Sequence, residues 1–173
     1  MRVIGRYVIK MEGEGKMTFT IQTMTQEQAE EIAYNWHYEQ EYDFYDMEAD
    51  NEDLEEFLNP VTRGNNMFSV SEDNVLVGFL SVSEEPLSTF EIGLGMRPDL
   101  TGHGMGQNFL VGCIEFVQKK FSPKILTLSV ATFNQRAIKV YKKVGFKEIE
   151  VFMQETNGSQ FEFVKMAYEL KKK

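Results

Sequence analysis

Short apolar runs recur along most of the chain, some of them alternating with polar residues and others repeating at helical spacing. Alternation is typical of half-buried strands, whereas apolar residues three and four positions apart indicate an amphipathic helix. Strands are accordingly predicted over residues 17–24, 67–70, 75–82, 89–96, 125–130, 147–153 and 160–168. Helices are predicted after Thr25, over 50–58, over 104–121 and after Asn134. Strands and helices mix in the way expected of an α/β fold.

Turn and cap residues support these boundaries. Thr25 and Gln28 have the spacing of a capping box, and Pro60 is expected to stop the second helix. Residues 71–74 and the dipeptide 157–158, which is Asn-Gly, predict hairpin turns.

The chain is predicted to be one domain over residues 17–173, preceded at 1–16 by an appendage or an extra strand. Gly13 and Gly15 break the pattern before the main fold, whereas five earlier residues favour a strand: Val3, Ile4, Tyr7, Val8 and Ile9. A length of 173 residues, with 42% hydrophobic and 26% charged residues, fits a single globular domain.

The number of cysteines and the length of the apolar runs indicate in which cellular compartment the protein is expected. Cys113 is the single cysteine, so no intramolecular disulfide can form, and its place on an apolar helix face predicts a packing role. The apolar runs are too short to span a membrane, and the basic start lacks a signal-peptide core. We expect a cytoplasmic protein without membrane contact.

The charge balance constrains the partners. A formal net charge of −9 disfavours nucleic acid as a partner. Acidic residues concentrate at 30–31, 39–48 and 50–56, where they form either solvated helix faces or a rim that attracts cationic molecules. His37 and His103 are the only histidines and show no metal-ligand spacing with Cys113, so no metal site is expected.

A glycine-rich segment follows the fourth of these strands and precedes the longest helix. Such a strand–turn–helix junction makes a phosphate cradle, because glycines allow close approach and the first helical amides have no internal partner. The glycine spacing differs from that of the dinucleotide-binding fingerprint, and the Lys-Ser/Thr of the nucleotide P-loop is missing. Its predicted cofactor-binding residues are Thr101, Gly102, His103, Gly104, Met105, Gly106 and Gln107.

A second segment, 134–146, reads as a helix between an Asn cap and a glycine stop. Together the two segments resemble the GNAT superfamily of acetyl-CoA-dependent N-acetyltransferases. The family pattern is Arg/Gln-x-x-Gly-x-Gly/Ala, then Asn-x-x-Ala-x-x-x-Tyr-x-x-x-Gly-Phe. The second part is matched at Asn134, Ala137, Tyr141, Gly145 and Phe146. The first part is matched at Gly104 and Gly106 but has Thr101 where Arg or Gln is usual.

The resemblance implies a GNAT fold, a mixed and mostly antiparallel sheet with two splayed strands and helices on both faces. Acetyl-CoA would then lie in the gap as co-substrate, paired with the backbone of Leu94, Gly95 and Met96. Asn134 would order its pantetheine end. Lys143, or else Lys139 or Lys142, would meet its adenosine phosphate. Strand glycines such as Gly95 would mark either close approach to this co-substrate or a kinked strand.

The resemblance also implies the chemistry. Tyr141 occupies the family position that protonates the leaving thiolate, and a backbone amide at Leu94 or Gly95 would stabilise the oxyanion. Glu91 is either the base that takes the amine proton or a solvent-facing strand residue. The expected activity is direct transfer of acetyl, in a ternary complex, to a primary amine of a small molecule or a protein N-terminus. A non-catalytic acyl-CoA-binding regulatory module is the alternative.

The acceptor site is the least defined part of the expectation. In the family it lies between the first helices and the last hairpin. Here that region contains carboxylates and the aromatic residues Trp36, Tyr38, Tyr42, Phe44 and Tyr45. Such a mixture suits a cationic amine, and it suits equally well an ordered loop that packs on the core. An exposed edge strand makes a homodimer possible.

Overall fold

The computed structural model describes residues 5–11 and 17–171, and the described strands form an eight-stranded sheet. In chain order the strands are β1 Tyr7–Lys10, β2 Thr18–Thr23, β3 Met67–Glu72, β4 Val75–Glu85, β5 Thr89–Met96, β6 Ile125–Ala131, β7 Lys147–Thr156 and β8 Ser159–Glu169. Their spatial order is β1-β2-β3-β4-β5-β6-β8-β7. Neighbours are antiparallel, except for the parallel pair β5 and β6. The mixed, mostly antiparallel sheet predicted from the sequence is confirmed.

The helices are α1 Gln26–Asn35, α2 Asn51–Leu58, α3 Pro60–Arg63, α4 Gly106–Phe121 and α5 Gln135–Val144. Three short 3-10 segments, Gln40–Tyr45, Met47–Ala49 and Pro98–Leu100, lie in the connections. The predicted capping box is present at α1: the Thr25 hydroxyl accepts from the Gln28 amide at 3.1 Å, and the Gln28 side chain accepts from the Thr25 amide at 3.0 Å.

The helices differ from the sequence prediction at three points. Asp50 caps α2 rather than beginning it. Pro60 opens α3 as well as following α2, because proline at the first helical position loses only an amide that would lack an intrahelical partner. The long helix begins at Gly106 rather than Gly104, because Gly102 and Gly104 adopt positive φ angles of 76° and 78° in the preceding loop. Val3, Ile4, Gly13 and Gly15 lie outside the described residues.

The helices cover both faces of the sheet. On one face α4 and α5 pack over a large core that includes Leu80 and Phe116. On the other face α1 and α2 pack over a smaller core that includes Phe79 and Trp36. Phe79 and Leu80 are consecutive on β4 and so point to opposite faces. Cys113 belongs to the large core and is 1% exposed, as its predicted packing role requires.

The parallel strands β5 and β6 separate soon after they meet. Their register pairs residues 89–91 with 125–127 and goes no further. On its other side β5 stays paired with β4 along its whole length, from Thr89 to Met96. Half of β5 thus faces a gap in the middle of the sheet, and the predicted splay is present.

Candidate active site

A cavity of about 580 Å³ lies where β5 and β6 separate, between the start of α4 and one side of α5. Its wall includes most of the residues that the sequence proposed for the site: Leu94, Gly95, Met96, Thr101, Gly102, Gly104, Gly106, Gln107, Asn134, Tyr141 and Lys143. Three proposed residues, His103, Met105 and Glu91, are not among the described residues of this wall. The fold therefore brings together predicted residues that are spread along the chain from Leu94 to Lys143.

The glycine-rich loop forms one end of the cavity. Gly102 and Gly104 allow its left-handed turns, and α4 then starts without a side-chain cap. The first amides of this 16-residue helix are thus available to an anion, which the helix dipole also favours. The Thr101 hydroxyl donates to the Pro98 carbonyl at 2.7 Å, so this side chain stabilises the loop itself. Backbone amides remain the donors of the cradle.

One side of α5 supplies the cations of the cavity wall. Arg136, Lys139 and Lys143 all line it, at a spacing that places them along a single helix stripe. Lys142 instead forms an ion pair with Glu148 at 3.1 Å. The loop-and-helix wall is therefore positive, although the chain as a whole is acidic. Amides and cations around an elongated gap fit a phosphorylated co-substrate with a long arm, such as acetyl-CoA.

Asn134 fixes the start of α5 and contacts the opposite wall. Its side-chain oxygen accepts from the Ala137 amide at 3.2 Å, which makes it the predicted N-cap. Its side-chain nitrogen donates to the Tyr45 hydroxyl at 3.3 Å. The capping residue thus joins α5 to the 3-10 segment 40–45.

Tyr141 lies on α5, where it is partly buried against the large core and lines the cavity. Burial raises the pKa of this phenol, and the neighbouring Tyr45 and Cys113 raise it further. The hydroxyl therefore keeps its proton at neutral pH and can donate it. Gly145 ends the helix with a φ of 127°, as the sequence predicted.

Glu91 lies at the last paired position before the gap. It faces Ser83 of β4 and Thr127 of β6, on the sheet face covered by α1 and α2. Burial and a hydrogen bond with Glu85 raise the pKa of Glu91, while Lys165 lowers it. Thr127 is itself buried, and its hydroxyl has no hydrogen-bond partner among the described residues. Glu91 is thus outside the cavity wall but beside the point where the gap opens.

Three tyrosines form the acceptor-side wall of the cavity: Tyr38, Tyr42 and Tyr45. The Tyr38 hydroxyl donates to the Met96 carbonyl at 2.6 Å, and burial raises its pKa. Burial also raises the pKa of Tyr45. The Tyr42 ring lies under the Arg136 guanidinium, 4.2 Å from ring centroid to Cζ. Each tyrosine therefore contacts a residue of the cavity's other walls.

The strand glycines have neighbours within the protein. A Cβ on Gly95 would clash with the Phe79 ring, and one on Gly93 would clash with the Ser81 hydroxyl. In both cases the clashing side chain belongs to the β4 residue paired with the glycine. The glycines therefore make room for side chains of β4. The gap lies along the opposite edge of β5, so the close approach to a co-substrate inferred for these glycines is not needed to explain them.

The remaining aromatic residues of the predicted acceptor region divide into two groups. Trp36 is 4% exposed and packs in the small core, so it is not available to a ligand. Phe44 packs against Phe133 and Phe161, with ring centroids 5.5 and 4.7 Å away. This cluster borders a second cavity of about 630 Å³, whose wall carries the carboxylates of Glu41, Asp43, Asp46 and Glu48.

The last hairpin closes this region from the other side. At its turn, the Asn157 amide donates to the Asp50 carboxylate at 3.0 Å and its side chain donates to the Phe44 carbonyl at 3.0 Å. Hydrogen bonds from the Asp53 and Asn157 amides lower the pKa of Asp50, which also caps α2. The acceptor side is thus an ordered surface between the 3-10 segments and the β7–β8 turn.

The sequence did not predict Arg136 as a residue of the cavity wall. It also did not predict the contacts of Tyr38 with Met96, of Tyr42 with Arg136 and of Tyr45 with Asn134. In the sequence, Arg136 has the pattern of a solvent-exposed residue in the first turn of a helix. Its proximity to Gly102 depends on how α5 packs beside α4, which the sequence does not show. The one available signal was its spacing of three and seven residues from Lys139 and Lys143 on the same helix.

The sheet order, the gap and the glycine-rich helix start define the architecture of an acyl-CoA N-acyltransferase. The family model "Acetyltransferase (GNAT) domain" matches residues 18–147. The chain therefore belongs to the GNAT acetyltransferase family, as its sequence motifs indicated, and acetyl-CoA is the co-substrate of this family. Among curated protein sequences none matches the chain significantly.

Solved structures share the fold at low sequence identity. An acetyltransferase of the GNAT family from Bacillus anthracis is 16% identical, with a TM-score of 0.67, and the match covers 93% of this chain and 98% of that one. Mutant forms of the spermidine/spermine N-acetyltransferase SpeG from Vibrio cholerae are 19% identical, with a TM-score of 0.65 and coverage of 87% and 94%. The protein yncA from Salmonella typhimurium, solved with its cofactor acetyl-CoA, is 15% identical, with a TM-score of 0.61 and coverage of 90% and 95%.

Two features of the described residues bear on membrane insertion and on metal binding. None of their helices combines the length and apolar character needed to cross a membrane. Within residues 5–11 and 17–171, no group of three or more His, Cys, Asp or Glu side chains is arranged to hold a metal ion.

Proposed function

We propose that this protein transfers the acetyl group of acetyl-CoA to a primary amine by direct attack in a ternary complex. The observation that carries the proposal is the gap between β5 and β6, since one cavity there joins the cradle at Gly102 and Gly104 to Tyr141 and to the acceptor-side tyrosines. Both reactants can therefore reach the same point of the sheet without a covalent enzyme intermediate.

The proposed roles of the protein groups follow from this arrangement. The amides of the loop and of α4, with Lys143, hold the phosphates. The gap-facing backbone of Leu94 and the Met96 amide hold the pantetheine arm, since the Met96 carbonyl already accepts from Tyr38. The Gly95 amide and carbonyl face Phe79 of β4 instead. An amide of the gap-facing backbone stabilises the oxyanion, because it is fixed in place before the charge develops. Tyr141, protonated at neutral pH, supplies the proton that the departing thiolate needs.

Glu91 is the proposed base. An amine nucleophile must lose a proton, and ordinary amines are mostly protonated near pH 7. Glu91 lies at the opening of the gap on the α1–α2 face, the side from which the tyrosine wall faces the cavity. Its raised pKa makes it a stronger base than an ordinary glutamate. We infer that it takes the proton through a water molecule, because its side chain does not line the cavity.

A cationic small molecule is the proposed acceptor. The acceptor side carries Glu41, Asp43, Asp46 and Glu48 beside the aromatic cluster of Phe44, a combination that attracts and contacts cations. The similarity to a spermidine/spermine N-acetyltransferase is compatible with this class. A protein N-terminus is the alternative acceptor, also cationic, and the same assay distinguishes the two.

The test has two stages. Calorimetric titration with acetyl-CoA, with NADH and ATP as controls, is expected to give selective one-to-one binding. Release of CoA thiol is then followed with polyamines, amino sugars, free amino acids and peptides. Turnover with one acceptor class supports the enzyme and names the substrate. Tight acetyl-CoA binding without turnover on any class would instead identify the non-catalytic binding module.

We also infer that two copies associate through β7. This strand lies at the end of the sheet and pairs only with β8 among the described strands. Ile149, Val151 and Met153 on it are 56%, 58% and 58% exposed. Open edge strands are templates for further pairing, and a two-fold axis at Val151 would set this valine opposite Val151 of the second copy. A second copy therefore fits this edge.

A further inference from the structure

Arg136 lies between two elements that face different reactants. On one side its guanidinium stacks on the Tyr42 ring, at 4.2 Å from the ring centroid. On the other side its Nη1 atom is 3.5 Å from the point where a Cβ of Gly102 would stand. Gly102 belongs to the loop that precedes α4, whereas Tyr42 belongs to the acceptor-side segment 40–45. One side chain therefore stacks on the acceptor-side segment and lies beside the glycine-rich loop.

The charge of Arg136 is not neutralised by a carboxylate. The ion pairs found within residues 5–11 and 17–171 involve His37, Arg97, Lys119 and Lys142, and none involves Arg136. This is unexpected in a chain with 27 acidic and 18 basic residues. An arginine without a carboxylate, on the wall of a cavity beside free helix amides, has its donors available to an anion.

The geometry of guanidinium allows both contacts at once. Its donors lie in the plane of the group and point outward from its edge, while its flat face stacks on aromatic rings. Stacking on Tyr42 therefore leaves the donor edge free. The ring also restricts the side chain to few orientations, which lowers the entropy lost when the donors bind an anion.

The position of Tyr42 is fixed by its neighbours in the chain. Tyr38 donates to the Met96 carbonyl on one side of it, and Tyr45 accepts from Asn134 on the other. Both anchors lie within four residues of Tyr42. The segment that carries Tyr42 is thus held by contacts that do not depend on Arg136, as a support for the guanidinium requires.

We propose that Arg136, oriented by the Tyr42 ring, binds the pyrophosphate of acetyl-CoA at the glycine-rich loop. The acceptor-side segment 40–45 then sets the affinity for the co-substrate, and the bound co-substrate in turn holds this segment in place. Acetyl-CoA and an acceptor that contacts segment 40–45 should then raise each other's affinity by the same factor, because coupling between two binding sites is reciprocal. The inference rests on the proposed function, since it requires acetyl-CoA in this cavity.

The experiment measures the dissociation constant of acetyl-CoA by calorimetry on the full chain. R136Q is expected to weaken binding about tenfold, the loss typical of a charge-assisted contact. Y42L removes the stacking ring and is expected to weaken binding about threefold, whereas Y42F keeps the ring and should bind like the parent. In the double variant R136Q/Y42L the loss of Tyr42 should add nothing, because the side chain that it orients is gone.

Two controls separate this inference from general charge effects. K119Q removes a positive charge from α4, at a residue paired with Glu115, and should leave the affinity unchanged. The ligand 3′-dephospho-acetyl-CoA keeps the pyrophosphate, so R136Q should weaken it by the same factor as acetyl-CoA. If the effect of R136Q disappears with this ligand, the guanidinium binds the 3′-phosphate and the pyrophosphate assignment is wrong.

The outcomes that overturn the inference differ from those that overturn the proposed function. Parent-like affinity of R136Q would remove Arg136 as a ligand while leaving acetyl-CoA binding intact. A further loss in R136Q/Y42L equal to that of Y42L alone would show that Tyr42 does not act through Arg136. Absence of acetyl-CoA binding by the parent protein would overturn the proposed function and this inference together.

Discussion

At the scale of single residues, the protonation of Tyr141 is the property that its proposed role requires. Y141F is expected to lower kcat about a hundredfold, within the range of general acid catalysis, and to leave acetyl-CoA affinity within about twofold. Steady-state rates and calorimetric affinities of the same preparations test this. Tyr168, which packs on Phe146 away from the cavity wall, supplies the control Y168F with parent-like kcat. Equal kcat for Y141F and parent would remove the assignment.

The pH dependence of the rate tests Glu91. Burial and Glu85 raise the pKa of this carboxyl, so its basic form is lost at a higher pH than for an ordinary glutamate. The rate should therefore fall as the pH decreases through the raised pKa, and E91Q should lower the rate and abolish this acid limb. E84Q, an exposed carboxyl on the neighbouring strand, should keep it. An unchanged limb in E91Q would exclude Glu91 as the base.

The raised pKa of Glu91 also affects stability, and here the dependence on pH is opposite to that of the rate. A carboxyl whose folded-state pKa is raised binds its proton more tightly in the folded protein. Protonated Glu91 thus stabilises the fold below the ordinary glutamate pKa, and this contribution disappears as the pH rises through the raised value. Activity and this part of the stability therefore change in opposite directions over the same pH window.

Most of the site residues could be predicted from the local sequence around them. Asn134 and the glycines of the loop stand at element ends, where backbone conformation dictates residue type, and the structure places them there. Arg136 could not be predicted in the same way, because an exposed helix position accepts many residues. Its position between the Tyr42 ring and Gly102 arises from tertiary packing alone.

At the scale of elements, the pairing of β4 with β5 depends on glycines that make room for neighbouring side chains. A methyl group at Gly95 would clash with the Phe79 ring. G95A is therefore expected to destabilise the protein by about 1–3 kcal/mol through overpacking, measured as a lower urea midpoint. G106A is the control, because a Cβ there lies at an ordinary 3.6 Å from Val140. Equal midpoints for G95A and parent would contradict this account.

Elements with strong periodicity were predicted well, and irregular ones were not. The predicted β5 agrees with the observed strand at both ends, since its alternation runs up to the loop that breaks it. The 3-10 segment 40–45 has no repeating pattern, and its aromatic residues gave equal support to a binding surface and to core packing. Its shape depends on contacts with α5 and with the Asn157 turn, which are distant in the chain.

At the scale of the whole molecule, the outer edge of β7 is the surface on which self-association is expected. V151E would place a charge at the proposed two-fold axis, opposite the same charge of the second copy. It should convert a dimer to a monomer in sedimentation or light-scattering measurements, without loss of folding. V61E changes a valine that is 87% exposed on α3 and should leave the dimer intact. A monomeric parent protein would exclude the interface.

The early separation of β5 and β6 also bears on how the molecule can move. The sheet consists of two parts, β1 to β5 and β6 to β8, and the ladder that joins them pairs residues 89–91 with 125–127. Widening the gap beyond those paired positions breaks no ladder hydrogen bonds between β5 and β6, because no strand pairing extends there. A long substrate arm can therefore enter and leave between the two parts of the sheet without disrupting the strand pairing between them.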